Sequence, residues 1–238
     1  MSAYPEALPH GDLTAVFPDI FLVTGTSRPT FGGASWQFSR NMVVLRQGTT
    51  LTLVNTVRLG DAGLAALDAL GTVTNVVRIG AFHGLDDAFY VDRYNAKLWA
   101  LRGMTHESGK VTDVELVVGG TMPVPGCALF VYETAAQPEG VLVLERDGGI
   151  LVSCDSLQNW AQADAYFSAD SAAKMAAIGF IREANVGPGW RQGSNVQAAD
   201  FARLKQVAFR HLLPAHGTPL LGDAHDKLSA TFKEQFGV

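Results

Sequence analysis

The chain has little cysteine, no dominant charge sign and no long apolar run, and each shortage excludes a class of protein. Two cysteines in 238 residues, Cys127 and Cys154, cannot form a disulfide framework and suit a reducing compartment. No stretch approaches the roughly 18–20 apolar residues that cross a bilayer, so no membrane partner is expected. Residues 1–10 carry two prolines and no basic-then-apolar pattern, so no secretory leader is expected and the cytoplasm is the default location. Net charge is −5 with no basic run, which argues against nucleic acid as a partner. No G-x-S-x-G elbow supports a serine hydrolase. The glycine-rich segment Gly187-Pro188-Gly189-Trp190-Arg191-Gln192-Gly193 lacks the G-x-G-x-x-G spacing and follows no clear strand. Repeats, low-complexity segments and linkers are also missing.

What is present is an apolar fraction of 47% with 17% charged residues, the balance of a soluble globular protein. One large core over 1–238 is expected. Residues 19–24, 36–39, 41–46 and 50–54 read as strands of a meander, with a turn at Gln47-Gly48. Asp61 is expected to cap a helix over 62–70 closed by Gly71. The β-branched run 73–79 follows and reads as a buried strand. Further strands are expected over 97–101, 111–118, 128–132, 140–145 and 149–153, with Asp147-Gly148-Gly149 as a hairpin turn. The last third reads as a helix over 169–180, a Gly/Pro-punctuated stretch over 182–196, an amphipathic helix over 198–211, a strand over 212–217 and a final helix over 223–236.

Polar groups gather where these strands end. Ile79-Gly80 opens into a loop with His83, Asp86 and Asp87. Adjacent carboxylates are costly unless a cation lies near or one is protonated. The plain alternative is a helix start, with Asp86 as N-cap, Asp87 at the positive end of the dipole and His83 an ordinary loop residue. Cys127, Asp155 and His216 stand at three other strand ends. Cys127 and Cys154 also read as small buried hydrophobes.

The order and spacing of these four sites resemble the metallo-β-lactamase superfamily. Phe82-His83-Gly84-Leu85-Asp86-Asp87 lies over its H-x-H-x-D-H motif, and Pro125-Gly126-Cys127 over P-G-H. Cys154-Asp155-Ser156-Leu157 lies over G-D-x-L, and Pro214-Ala215-His216-Gly217 over P-x-H-G. The resemblance covers about residues 19–220. It implies an α+β fold, a four-layer αββα sandwich of two mixed β-sheets flanked by helices. It also implies a metal-dependent hydrolase, with departures. Phe82 and Gly84 replace the paired histidines, Asp87 replaces the histidine after Asp86, and Cys127 replaces the P-G-H histidine.

The family's dizinc site cannot be rebuilt from these residues. One divalent ion (zinc, iron or manganese) held by Asp87, Asp155, His216 and His83, with Asp86 orienting or deprotonating a water, is the site the resemblance implies. Trp190 as apolar wall, Arg191 as anion contact and Cys127 would meet the small-molecule substrate. The alternative is a pseudo-enzyme with no metal, using the same cavity to bind a small molecule or partner. A third reading is an iron-dependent oxidoreductase on the same fold.

Overall fold

The protein's computed structural model describes residues 4–238. Two mixed sheets stack face to face. The larger has seven strands in the order β1-β2-β5-β6-β7-β8-β9 and the smaller four, β10-β11-β12-β15. In the first, β1 (Thr14–Phe17), β2 (Ile20–Ser27), β5 (Phe38–Gln47) and β6 (Thr50–Val54) run antiparallel. From β6 the ladder turns parallel through β7 (Thr72–Arg78), β8 (Lys97–Leu101) and β9 (Val114–Leu116). The second is an antiparallel meander of β10 (Cys127–Val131), β11 (Gly140–Leu144) and β12 (Ile150–Ser153), closed by a parallel β15 (His211–Pro214). Two short pairs complete the strands: the hairpin β3 (Thr30–Phe31) with β4 (Ala34–Ser35), and β13 (Leu157–Trp160) with β14 (Arg182–Val186).

Strand alternation explains the layering, because successive side chains point to opposite faces. Val43, Leu45, Val54 and Val77 of the large sheet meet Leu142, Leu144, Ile150, Val152 and Leu213 of the small one in a central apolar layer. The opposite parity of the large sheet, Met42, Val44, Leu51 and Leu53, packs on Leu64 and Leu67 of α1 (Asp61–Leu70) and on Phe89 and Tyr90 of α2 (Asp87–Tyr94). The opposite parity of the small sheet, Val141, Val143, Leu151 and Leu212, packs on two C-terminal helices. Phe201 and Leu204 come from α5 (Ala198–Leu204), and Leu228 and Phe232 from α6 (Ala224–Phe236). Helix, sheet, sheet, helix is therefore the order of layers, as expected from sequence. Each fully buried Leu or Val contributes roughly 1.5–3 kcal/mol. Two further helices are α3 (Ala169–Ala177) and α4 (Pro188–Ser194). No helix among the described residues is long and apolar enough to cross a membrane.

Several local expectations are corrected. The Gly/Pro-punctuated stretch over 182–196 forms a strand and a helix, β14 and α4: β14 pairs with β13, an edge the sequence pattern did not reveal. The helix over 198–211 stops at Leu204, because tight turns at Gln206 and Val207 release the chain and His211 enters the ladder opposite Ile150. Parallel pairing there overrides helix propensity. The strand over 111–118 shrinks to Val114–Leu116. Helix α1 starts one residue early: Gly60 is the cap, and Asp61 sits in the first turn, where it meets the positive end of the dipole.

Asp200 of α5 secures the loop after β10. Its buried carboxylate accepts from the backbone N–H groups of Glu133 and Thr134, from the Thr134 hydroxyl and from Arg203. Burial pushes its pKa up, but these donors outweigh that and hold it below the ordinary carboxylate value. Asp200→Ala is expected to cost about 1–2 kcal/mol, since it removes the acceptor of two part-buried N–H groups. A depressed folded-state pKa gives stability that is present above the unfolded value and lost as pH falls through the folded one. The denaturation midpoint of wild type should therefore fall more steeply with acid than that of Asp200→Asn.

Candidate metal centre

Three strand ends converge on one point. β7 runs through Ile79 and Gly80 into a loop that carries His83. β12 ends at Ser153 and turns at Cys154-Asp155. β15 ends at Pro214, two residues before His216. Each turn is fixed by specific bonds. Arg78 donates to the carbonyls of Gly80 (3.3 Å), Ala81 (2.7 Å) and Thr105 (2.8 Å), holding the His83 loop from below. The Asn41 side chain in β5 donates to the carbonyls of Pro214 (2.9 Å) and Gly217 (2.5 Å), on either side of His216. Gly217 has φ of +90°, and a Cβ there would lie 2.1 Å from the Asn159 carbonyl, so no larger residue fits after His216.

The result is a triangle of Lewis bases. His83 Nε2 lies 3.1 Å from His216 Nε2 and 3.4 Å from Asp155 Oδ2, and His216 Nε2 lies 3.0 Å from Asp155 Oδ1. His216 Nδ1 lies 3.1 Å from the Ser39 carbonyl, which only accepts, so Nδ1 carries a proton and Nε2 turns toward the other two groups. Burial pushes the His83 pKa down against the pull of Asp155, which favours the neutral ring. Burial pushes Asp155 up, but the two imidazoles reverse this and leave the carboxyl below its ordinary value. His83 Nδ1 is buried without a partner. Asp155 retains 15% of its side-chain surface, against 7% for His83 and 5% for His216, so it is the member most open from outside.

A cation fits this donor set. Ligands about 2.0–2.2 Å from a zinc or similar ion lie about 2.8–3.6 Å from one another for angles between about 90° and tetrahedral, and the three contacts here, two of them to different Asp155 oxygens, fall in that range. Two imidazole nitrogens and one carboxylate suit zinc, iron or manganese. Cys154 Sγ is a looser neighbour: with single atoms of His83 and Asp155 it falls within 4.8 Å, and the thiol lies 3.5 Å from Asp155 Oδ2. Burial raises the Cys154 pKa well above its ordinary value, which opposes a thiolate. The His83–Asp155–His216 set is the tighter of the two.

The two acidic residues of the loop do other work. Asp86 is buried in an ion pair with Arg40 and accepts from the Arg58 backbone N–H at 2.8 Å. It holds the loop to β5 and does not cap α2 with its side chain. Asp87 Oδ1 accepts from Thr56 at 2.6 Å, and Oδ2 has no partner. Among the described residues no hydrogen bond or ion pair joins Asp86 or Asp87 to the triangle. Burial raises the Asp87 pKa, so the folded state is penalised by its ionisation as pH climbs above the unfolded value. Asp87→Asn is expected to stabilise the protein at neutral pH by about 1 kcal/mol. Thermal melts at pH 5 and pH 8 check this, and a lower melting point at pH 8 would contradict it.

Above the triangle opens a cavity of about 470 Å³ with Asp155 and His216 on its floor. Its walls are Phe38 of β5, Trp160 of β13, Met175 of α3 and Trp190 of α4, and Phe31 of the β3–β4 hairpin and Ile178 reach its edge. Trp160 packs on His216 with centroids 4.8 Å apart, and its indole donates to Ser39 Oγ at 2.8 Å. Trp190 lines the wall. Arg191 is turned away: it stacks on Phe236, 4.4 Å from the ring, and bonds Gln235. Residues 190 and 191 sit on different faces of α4, and only the first faces inward. Cys127 also lies off the cavity, where it opens β10 opposite Leu144 and packs on the central layer. Burial raises its pKa to about 12.

Glu139 had no signal in sequence. It is buried behind Asp155, accepts from the Ser156 N–H at 2.7 Å, and has one oxygen without a partner. Burial and the neighbouring Asp155 charge raise its pKa well above the ordinary value.

No family model and no curated protein match the sequence. Solved structures do match. The metallo-β-lactamase DIM-1 superposes with a TM-score of 0.62 over 96% of this chain and 99% of its own, at 15% identity. FIM-1 from Pseudomonas aeruginosa, in a mono-zinc form, gives 0.61 over 97% of both chains at 13% identity. The chain has the metallo-β-lactamase fold. A further metallo-β-lactamase, from Hirschia baltica, gives 0.59 over 93% of this chain and 97% of its own at 14% identity. Within that fold, the triangle is built from the strand ends that carry the resemblance, with His83 standing one position from the motif's own histidine slots.

Proposed function

We propose that this metallo-β-lactamase-fold protein is a hydrolase that works with one divalent ion held by His83, Asp155 and His216. The observation that carries the reading is the triangle itself: two imidazole nitrogens and the two oxygens of one carboxylate, with contacts of 3.0–3.4 Å, under an open cavity. A bound ion of this type lowers the pKa of water toward neutrality and polarises a carbonyl.

The chain's own contributions follow from its geometry. Ser39 fixes the His216 tautomer, and Arg78 and Asp86 hold the loop that presents His83. Asp155 has one oxygen toward each imidazole, so one can serve as ligand while the other accepts the proton of an attacking water. The water oxygen bonds to the acyl carbon, the bond to the leaving group breaks, and the proton passes to the departing oxygen or nitrogen. Aromatic walls exclude bulk water from the rest of the substrate.

The same three groups also hydrogen-bond to one another, which favours a second reading. In it the protein is a binding protein whose cavity has kept its shape and lost its ion. Hydrolysis of uncharged aryl esters separates the two. The hydrolase reading expects turnover that a chelator abolishes and added zinc, iron or manganese restores. Turnover unaffected by chelator, or none with any of the three ions, rejects it.

A further inference from the structure

The cavity's chemistry selects by charge. Around His216 and Asp155 the lining is mostly aromatic and aliphatic, and among the described lining residues none is Lys or Arg. The cations nearby are already engaged: Arg40 with Asp86, and Lys174, which lies over Trp36 and pairs with Asp170 at 2.7 Å. In the metal-free protein an anionic ligand would have to leave water for aromatic walls with no Lys or Arg as counter-charge, and next to the Asp155 carboxylate. The mouth is apolar as well. Phe31, Phe82 and Ile178 are 60%, 56% and 56% exposed, an unusual cluster of large apolar side chains at one rim. Deeper in, the lining residues Trp190 and Gln158 are almost fully buried and add no charge to the wall.

We propose that this cavity takes an uncharged acyl compound with an aryl or alkyl body, and discriminates against anionic ones. The substrate class rests on the hydrolase reading; the charge preference of the cavity does not. The full chain is therefore first tested with chelator present, by tryptophan fluorescence, against butyranilide and its 4-carboxylate. Neither is expected to be turned over without metal, and the pair differs only in charge. Butyranilide is expected to bind about tenfold or more tightly than the carboxylate. Ile178→Arg, at the exposed rim, is expected to narrow that ratio by adding a cation without disturbing the core.

Equal or tighter binding of the carboxylate overturns the proposal, as does no binding of butyranilide up to its solubility. The metal-loaded protein is then given phenyl butyrate and 4-carboxyphenyl butyrate. Preferred binding of the neutral anilide with no ester turnover rejects the hydrolase and leaves the cavity's charge preference standing. Turnover of both esters with the same kcat/KM keeps the hydrolase and overturns the substrate class.

Discussion

Asp155→Asn is expected to lower metal affinity by about 100-fold or more while leaving the fold unchanged. Asn keeps the shape and one acceptor oxygen, so the contact with His216 Nε2 at 3.0 Å has a near-isosteric replacement. What disappears is the charge. In wild type a carboxylate held below its ordinary pKa faces two imidazoles, and the whole set has low exposure. A divalent ion placed among two imidazole nitrogens and an amide oxygen loses its only full counter-charge there. The readout is thermal. An ion that binds only the folded state adds about 2.7 kcal/mol at 100 times its Kd, so wild type should melt higher with metal than with chelator. Asp155→Asn should melt at nearly the same temperature in both. An unchanged metal-dependent shift would remove Asp155 from the centre.

The other large effect is expected one shell further out. Arg40→Met should destabilise the protein by about 3–5 kcal/mol, the usual cost of leaving one member of a buried ion pair alone. Asp86 is 1% exposed and Arg40 7%. With Arg40 gone, Asp86 keeps a single bond, from the Arg58 N–H, and its Oδ1 already has no partner. Adding Asp86→Leu should recover much of the loss, because it removes the stranded charge. The double variant should still bind metal more weakly than wild type, since Asp86 ties the His83 loop to β5 through Arg40. Urea melts of the two single variants and the double variant separate these contributions. If Arg40→Met alone falls within about 1 kcal/mol of wild type, the pair is not a structural anchor.

The layers of this fold were legible in the chain because they rest on period-two alternation. Val43 and Leu45 against Met42 and Val44 already divide β5 into a face for the other sheet and a face for the helices. What alternation does not encode is pairing. β13 and β14 are short, irregular in register and separated by a helix, so neither carries a local signal that the other exists. The helix expected over 198–211 was broken by a partner, Ile150, that is distant in sequence.

The site divides the same way. Asp155 and His216 follow apolar runs and match the superfamily's pattern in kind. Their convergence with His83 depends on how two sheets meet. The loop's two aspartates drew attention as a charge cluster, yet Asp86 is engaged by Arg40 from β5, 46 residues earlier in the chain. Glu139 follows Pro138 with no motif around it, and only its burial behind Asp155 marks it.

Metal content tests the account most directly. The protein would be purified without chelator, loaded in turn with zinc, iron and manganese, desalted and analysed, with His83→Ala and His216→Ala prepared alongside. The account predicts about one equivalent of one of these ions in wild type and a loss of most of it in either variant. Less than about a tenth of an equivalent after loading, or equal retention by wild type and both variants, would contradict a metal centre at His83, Asp155 and His216.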